Sequence, residues 1–404
     1  MALVTVLGAN ASTHTLNYDR LDVAAIARNL AAAIDSGIQS GAIAPAEDTS
    51  GPPPTLPGGK TGEWVQTQDN GVTSLPGGYT NVVVTGNNAV IFGSGDPNEA
   101  VLASTGNLTF LATGGSGTVA AGGGNNSILI PSTDSGNWGI YTGNGDDTVS
   151  ALGTGNDTIA PGGGHNFVML GSGNDLVQSS GDDTVLAGAG ASTIVATGHS
   201  DVVYGGTGPL TFIGTKDAAT VLGSTGSVTV SGGSGPELLM GGTNGNNSLS
   251  AGDGTATLFG AGPGDTLFAG GASPQLLVAG TGNETLFGGH ATGNDTLVAG
   301  TGNDQLTGGG GSDTFVFTNG QAGGKDLIIG FTSMDKVDLV GYGPNAVADA
   351  LKTQTVSNNS LTITLTDHTK VTFSGVTSLT TDNFVTPPTA GGGSHGGFGG
   401  TAGA

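Results

Sequence analysis

The sequence contains no cysteine, which excludes disulfides and thiolate metal sites and leaves packing, hydrogen bonds and oxygen-ligated ions to hold the chain together. Basic residues are scarce: two Arg and six Lys stand against 31 Asp and Glu, a formal net charge of -23. Such a balance repels nucleic-acid phosphates and anionic lipid, excludes both as partners, and calls for cations. No run approaches the roughly 20 apolar residues that cross a bilayer, so no transmembrane helix is expected. The opening stretch, MALVTVLGANASTHTLNYDR, lacks a basic n-region and a long h-region, so no cleaved Sec signal is expected either. None of the six histidines begins an HExxH, which removes the usual zinc-protease constellation. His165, His199 and His290 fall in or beside glycine turns and read as solvated positions. Gly392 to Gly396, GGSHG, matches GxSxG but lies in a glycine tail with no strand before it, the wrong context for a nucleophile elbow.

What the chain has instead is glycine, 80 residues of 404, in a regular pattern. A disordered chain is poor in Val, Ile and Leu, whereas here a large apolar residue recurs about every nine positions. The beat runs from Val82, Ile91 and Val101 through Ile159, Val177, Phe212 and Leu258 to Leu276, Leu286, Leu297, Leu306 and Phe315, with occasional steps that loops absorb. It is clearest between Ala279 and Phe317. The copy GGGGSDTFV places Gly308, Gly309 and Gly311 in a turn, Asp313 at its close and Phe315 as the apolar residue. Gly302, Asp304 and Leu306, and Gly293, Asp295 and Leu297, occupy the same offsets.

This GGxGxDxUx sentence, U being a large apolar residue, is the calcium-binding β-helix nonapeptide, and the chain resembles the RTX, or hemolysin-type calcium-binding repeat, family of type I secreted proteins. The resemblance implies an all-β fold, a parallel β-roll or β-solenoid in which each nonapeptide is one turn and one short strand and two make a coil. The beat then gives about thirteen coils and a rod of about 60 Å at a strand spacing of roughly 4.8 Å. The resemblance also implies calcium ions between a turn and the one stacked above it, two repeats on, held by Asp carboxylates and glycine carbonyls. Asp157 with Asp175, Asp295 with Asp313, and Asp304 with Asp326 meet the stacking condition, with Gly155, Gly173, Gly293, Gly302 and Gly311 supplying turn carbonyls. Asp147, beside Gly145, and Asp183 each stack with Asn166 and form weaker sites. From Val203 to Leu258 the Asp position holds Leu210, Ala219, Val228, Glu237, Asn247 and Ala256, so a metal-poor centre between two calcium-loaded sections is expected.

Around the rod, residues 1–44 read as a strand, Leu3 to Leu7, and an amphipathic helix from Asp19 to about Gly37. The stripe Val23, Ile26, Leu30, Ile34 and Ile38 is expected to cap the rod or to join subunits. Residues 45–80, with GPPPTLPGG, read as a linker, 81–318 as the solenoid, and 387–404 as a disordered Gly-rich tail. Residues 319–386 show an alternating hairpin pattern with Asp367 and His368 at its turn, and resemble the C-terminal domain of serralysins. Threonine precedes many of the inward apolar residues but divides evenly between the two sheets, which fits β-propensity rather than a dedicated ice-binding plane.

The expected function is that of a secreted, calcium-stabilised rod with a structural or adhesive role at a cell surface or in an extracellular layer, filament or matrix, and without catalytic activity. Calcium, self-association or a surface polysaccharide, and the type I secretion machinery are the expected partners. The alternatives are a polysaccharide lyase or epimerase, which the few Lys and Arg disfavour, and a soluble calcium-dependent binding module.

Overall fold

A computed structural model of the chain describes residues 1–289 and 292–385. The tail at 387–404, the GGSHG stretch and His290 lie outside the described residues. Two antiparallel strands, β1 (Ala2–Leu7) and β2 (Thr13–Tyr18), and one helix, α1 (Leu21–Ser40), precede a long solenoid. Each coil of the solenoid has a front strand, an outbound turn, a back strand and a return turn. Front strands pair only with front strands of the coils above and below, and back strands with back strands, all in parallel register.

The apolar beat becomes two columns of inward side chains. On the front sheet Val119, Ile140, Ile159, Val177, Ile194 and Phe212 stand in register. On the back sheet Val149, Val168, Val185, Val203 and Val221 do the same. All of these are fully buried and belong to one continuous core. A fully buried Val, Leu or Ile contributes about 1.5–3 kcal/mol, and a core two side chains thick depends on nearly every one. One step is corrected. Leu277, not Leu276, points inward, because Leu276 pairs with the outward Thr257 and a slip of one residue reverses the face.

The rod is longer than the repeats announce. The back sheet has 15 strands, from Val72–Ser74 to Lys336–Val340, in place of about thirteen coils. At roughly 4.8 Å per strand this is about 70 Å. The residues read as a linker, 45–80, hold three rod strands, β3 (Ile43–Glu47), β4 (Thr61–Gln66) and β5 (Val72–Ser74). The proline-rich excursion between β3 and β4 is the longest stretch of these residues outside the sheets. These first coils escape notice because Trp64 fills the core position there and the turns lack the GGxGxD sentence.

α1 does not cap the end of the rod. It lies against the outer face of the front sheet, where Val65, Val83, Leu102 and Ala120 share a second core with Val4, Val6, Leu16 and Tyr18. The buried face of α1 is Val23, Ala24, Ala27, Ala31 and Ile34, while Ile26, Leu30 and Ile38 are only partly covered. Alanines let the helix approach a flat sheet closely, so the closest face is the small-residue one and the larger side chains border it. Gly41, left-handed at φ 76°, ends the helix, and a Cβ on Gly37 would lie 2.3 Å from the side chain of Ile43 as the chain turns back into β3.

The C-terminal segment is continuous with the rod rather than a separate domain. Lys325–Ile329 and Lys336–Val340 are its last front and back strands. After α2 (Ala346–Lys352), Ser360–Thr364 and Lys370–Ser374 form an antiparallel hairpin, with Asp367 and His368 at its turn, and the second strand adds to the front sheet beside Lys325–Ile329. Leu361, Ile363, Val371, Phe373 and Phe384 close the core, with Phe331 packed between Phe315 and Phe373. At this end the hairpin extends the front sheet past Lys325–Ile329 and Phe384 bridges to Val337 on the last back strand, over edges that a bare solenoid would expose.

Candidate metal sites in the stacked turns

The turns stack as closely as the strands because glycine removes the side chain that would separate them. A Cβ on Gly173 would lie 1.6 Å from the carbonyl oxygen of Gly155, and one on Gly155 would lie 1.9 Å from that of Gly136. The vacancy at each glycine is filled by the carbonyl of the turn below. This close approach, rather than a left-handed backbone, is what requires Gly155 and Gly173. Gly302 and Gly311 need both, with φ of 141° and 116° and carbonyls of Gly282 and Gly293 at 1.4 Å and 1.9 Å from a built Cβ. Gly145 is similar, at φ 147° beside the carbonyl of Gly124. Gly293 has nothing closer than 3.3 Å. Columns of carbonyl oxygen thus run up both edges of the rod.

Beside each carbonyl column stands a ladder of side chains. On the return edge Asp157 donates its N–H to Asp175 Oδ1 at 2.9 Å, and Asp304 donates to Asp326 Oδ1 at 2.9 Å. On the outbound edge Asp295 donates to Asp313 Oδ1 at 2.9 Å, Asp147 to Asn166 Oδ1 at 2.9 Å, and Asn166 to Asp183 Oδ1 at 3.2 Å. All five stacked pairs expected from the spacing are in direct contact. The structure also extends them. Asp183 donates to Asp201, Asp313 to Asp335, Asn247 to Asp265, and Glu284 to Asp304. Asp201, Asp265 and Glu284 stand two residues before Val203, Leu267 and Leu286, the same offset as the others, so the signal was present in the beat itself. Asp335 keeps the same offset from the buried Val337, but Val337 lies beyond the last step of the beat at Phe315.

One oxygen of each aspartate is therefore spent on the ladder, and the fate of the other separates these residues. Oδ2 of Asp147, Asp175, Asp201, Asp295, Asp313 and Asp326 is buried with no hydrogen-bond partner. Both carboxylate oxygens of Glu284 are likewise buried and unpartnered. By contrast, Asp183 Oδ2 accepts from Ser179 Oγ at 2.7 Å, and Asp304 Oδ2 accepts from the Gly300 N–H at 2.9 Å. Asp265 Oδ2 is taken by the N–H groups of Ala261 and Gly262. These last three already behave as turn-closing residues.

A buried carboxylate oxygen without a donor is strongly disfavoured unless a cation meets it. Burial accordingly pushes Asp147, Asp295 and Asp313 up to about 6, and Asp157, Asp201 and Asp326 up to about 7. Charge on the stacked neighbour adds to this at Asp157, Asp295 and Asp326, and the charge of Asp19 adds to it at Asp147. Burial raises Asp175 and Asp183 as well. Among the described residues no three acidic or histidine side chains converge on one point, so an ion here takes one or two carboxylates and fills its shell with main-chain carbonyls. That donor set, hard and all oxygen, suits calcium. His165 and His199 are largely exposed beside Asp182.

The centre of the rod departs from this pattern. On the return edge Leu210 and Val228 replace the carboxylate and are buried in register, and on the outbound edge Ala219 and Ala256 do so. Glu237, between the two alanines, is held by the N–H groups of Gly233 and Gly252. The ladder-free stretch ends sooner than the spacing suggests, because Asn247 is already hydrogen-bonded to Asp265 through both its N–H and its amide at 2.8 Å.

The family model for the RTX calcium-binding nonapeptide repeat matches in 4 copies within residues 141–177, 178–209 and 291–321. The matches cover the two acidic sections and omit the centre between them. No curated protein matches the sequence. Among solved structures, the extracellular lipase LipA from Serratia marcescens is 19% identical, with a TM-score of 0.26 over 50% of this chain and 45% of that one. The chain thus spans less than half the length of that structure.

Proposed function

We propose that this chain, which carries RTX calcium-binding nonapeptide repeats, is a secreted rod that folds on calcium and acts as a structural element at a cell surface or in an extracellular layer, by association of its own copies and without catalysing a reaction. In the cytosol, where calcium is scarce, the buried carboxylates oppose folding of the acidic sections, which stay open for type I export. Outside, calcium at the 10⁻⁴ to 10⁻³ M affinities of extracellular modules (an order-of-magnitude range) closes the turns and the rod forms.

The observation that carries the structural reading is the outer face of the back sheet. An apolar row runs in register from Met169 and Leu186 through Tyr204, Leu222, Met240 and Phe259 to Val316. Every residue named in it is half-buried or exposed. The parallel outward row, Thr184, Val202, Thr220, Leu238 and Thr257, is also uncharged, and downstream the two rows meet charge at the last coil, on Lys336 and Asp338. In a chain of net charge -23, a flat uncharged strip tens of ångströms long is where two copies approach without repulsion. On the front sheet the same kind of outward apolar residue, Val65, Val83 and Leu102, is the seat of α1.

Sedimentation of the purified chain with calcium and with chelator tests this reading. Large ordered assemblies in calcium, dispersed by Leu222→Lys with Phe259→Lys while the circular dichroism stays unchanged, are expected. A monomer under all conditions removes the structural role.

A further inference from the structure

The end of β2 and the segment that joins it to α1 are laid along the outbound edge of the rod. Asn17 accepts the Thr105 N–H at 2.9 Å, Asp19 Oδ2 accepts the Asn144 N–H at 2.9 Å, and Arg20 donates to Ser180 Oγ at 2.8 Å. The Ser180 hydroxyl passes the contact on to the Gly162 carbonyl at 2.7 Å. The turns touched belong to one stack: Gly106 bonds to Gly123, Gly124 to Asn144, Gly145 to Gly163, and Asp182 to Gly164, each through a main-chain N–H. Four residues therefore reach across five consecutive turns.

Within this contact Asp19 occupies a clearing made by two glycines. A Cβ on Gly143 would lie 2.3 Å from its Oδ1, and one on Gly123 would lie 2.4 Å from its Oδ2. Oδ1 is buried and has no hydrogen-bond partner. Four residues along from Gly143, Asp147 is 1% exposed, and its Oδ2 is also buried without a partner. The guanidinium of Arg20, whose charge acts on Asp19 from nearby, donates its hydrogen bonds to Asp22 and Ser180 and supplies none to these two oxygens. Two carboxylates that repel each other therefore each keep a buried, unpartnered oxygen on one glycine turn.

We propose that Asp19, which lies outside every nonapeptide, is a calcium ligand: an ion shared with Asp147, its shell completed by turn carbonyls and water, fastens the N-terminal unit to the rod. Docking of α1 then depends on calcium even though its interface is apolar. This rests on the reading that the outbound turns bind calcium, and it adds a ligand that the repeat pattern does not contain. The ion also explains why an acidic side chain is inserted into an acidic edge.

Counting calcium bound to the full chain by native mass spectrometry, together with hydrogen exchange of residues 21–40, decides it. Asp19→Asn keeps an oxygen for the Asn144 N–H and so preserves the fold. The variant is expected to bind one ion fewer than the parent, with exchange of 21–40 in saturating calcium rising to the rate that the parent shows in chelator. An unchanged ion count overturns the proposal while leaving the calcium rod intact; a parent chain that binds no calcium overturns both. The parent alone gives a second check, because protection of 21–40 that does not change with calcium also rules the shared ion out.

Discussion

From Asn126 to Asp201 every outbound turn carries a side-chain amide or carboxylate, whereas from Ala219 to Ala256 the same position holds alanine or a glutamate already satisfied by its own turn. The strands on either side are alike in length, register and inward residues. One backbone thus accepts two fillings of the same space. An apolar plug such as Leu210 or Val228 is complete in itself. An oxygen ladder leaves Asp147, Asp175 or Asp313 with an unpartnered oxygen and is complete only with a cation. The acidic sections are therefore conditional and the centre is not.

Chelation is the largest perturbation that separates them. In a solenoid each coil contacts only its neighbours, so stability is roughly a sum of local terms and sections can open independently. Removing calcium is expected to accelerate amide exchange by orders of magnitude in 148–186 and 285–329 while 210–259 retains most of its protection. Loss of all protection in a single step along the whole rod, measured by hydrogen exchange with mass spectrometry, would mean that the two fillings do not differ as argued.

Next in size are substitutions that act on one filling only. Leu210→Ala removes a side chain that is 2% exposed, and at the scale of core truncations it costs about 2–5 kcal/mol. The loss should be the same in calcium and in chelator. Thermal melts in both conditions check this, and a loss confined to one of them breaks the contrast. Asp313→Asn is the counterpart and should change sign. In calcium it removes a ligand and destabilises by about 1–3 kcal/mol. In chelator it removes a buried charge next to Asp295 and Asp335 and stabilises by about 1 kcal/mol.

Much of this is legible in the amino-acid sequence. The nine-residue beat located the inward columns, and the requirement that acids recur two repeats apart found the stacked pairs Asp157 with Asp175, Asp295 with Asp313, and Asp304 with Asp326. What stayed hidden had physical reasons. The first coils carry Trp64 and a proline-rich excursion where the nonapeptide would stand, so their strands looked like linker. The seat of α1 is written in Val82–Val83–Val84 and in Ala100 to Ala103, strands apolar on both faces where later coils alternate with threonine, but the periodicity of the helix alone pointed to its larger residues rather than to Ala24, Ala27 and Ala31. Which carboxylates keep a free oxygen depends on where a turn N–H such as that of Gly300 points, and no spacing encodes that.

The smallest effect, and the one that reads the ladders most directly, is that of pH. Burial raises Asp147, Asp295 and Asp313 to about 6, and Asp157, Asp201 and Asp326 to about 7, from about 3.9 in an unfolded chain. Between those values and the unfolded one the folded, calcium-free rod binds more protons than the unfolded chain, so its stability falls as pH rises through about 4 to 7. In chelator, lowering the pH from 7.5 to 5 is therefore expected to raise the melting temperature by a few degrees. With calcium bound the sign reverses, because the ion needs the deprotonated carboxylates and protons compete with it. The two curves of melting temperature against pH should converge toward pH 5. Asp313→Asn combined with Asp326→Asn should flatten both, since it deletes titrating groups from the downstream ladders, whereas Leu210→Ala should lower both without changing their slopes. Parallel curves in calcium and chelator would mean that the unpartnered oxygens are not where the ion binds.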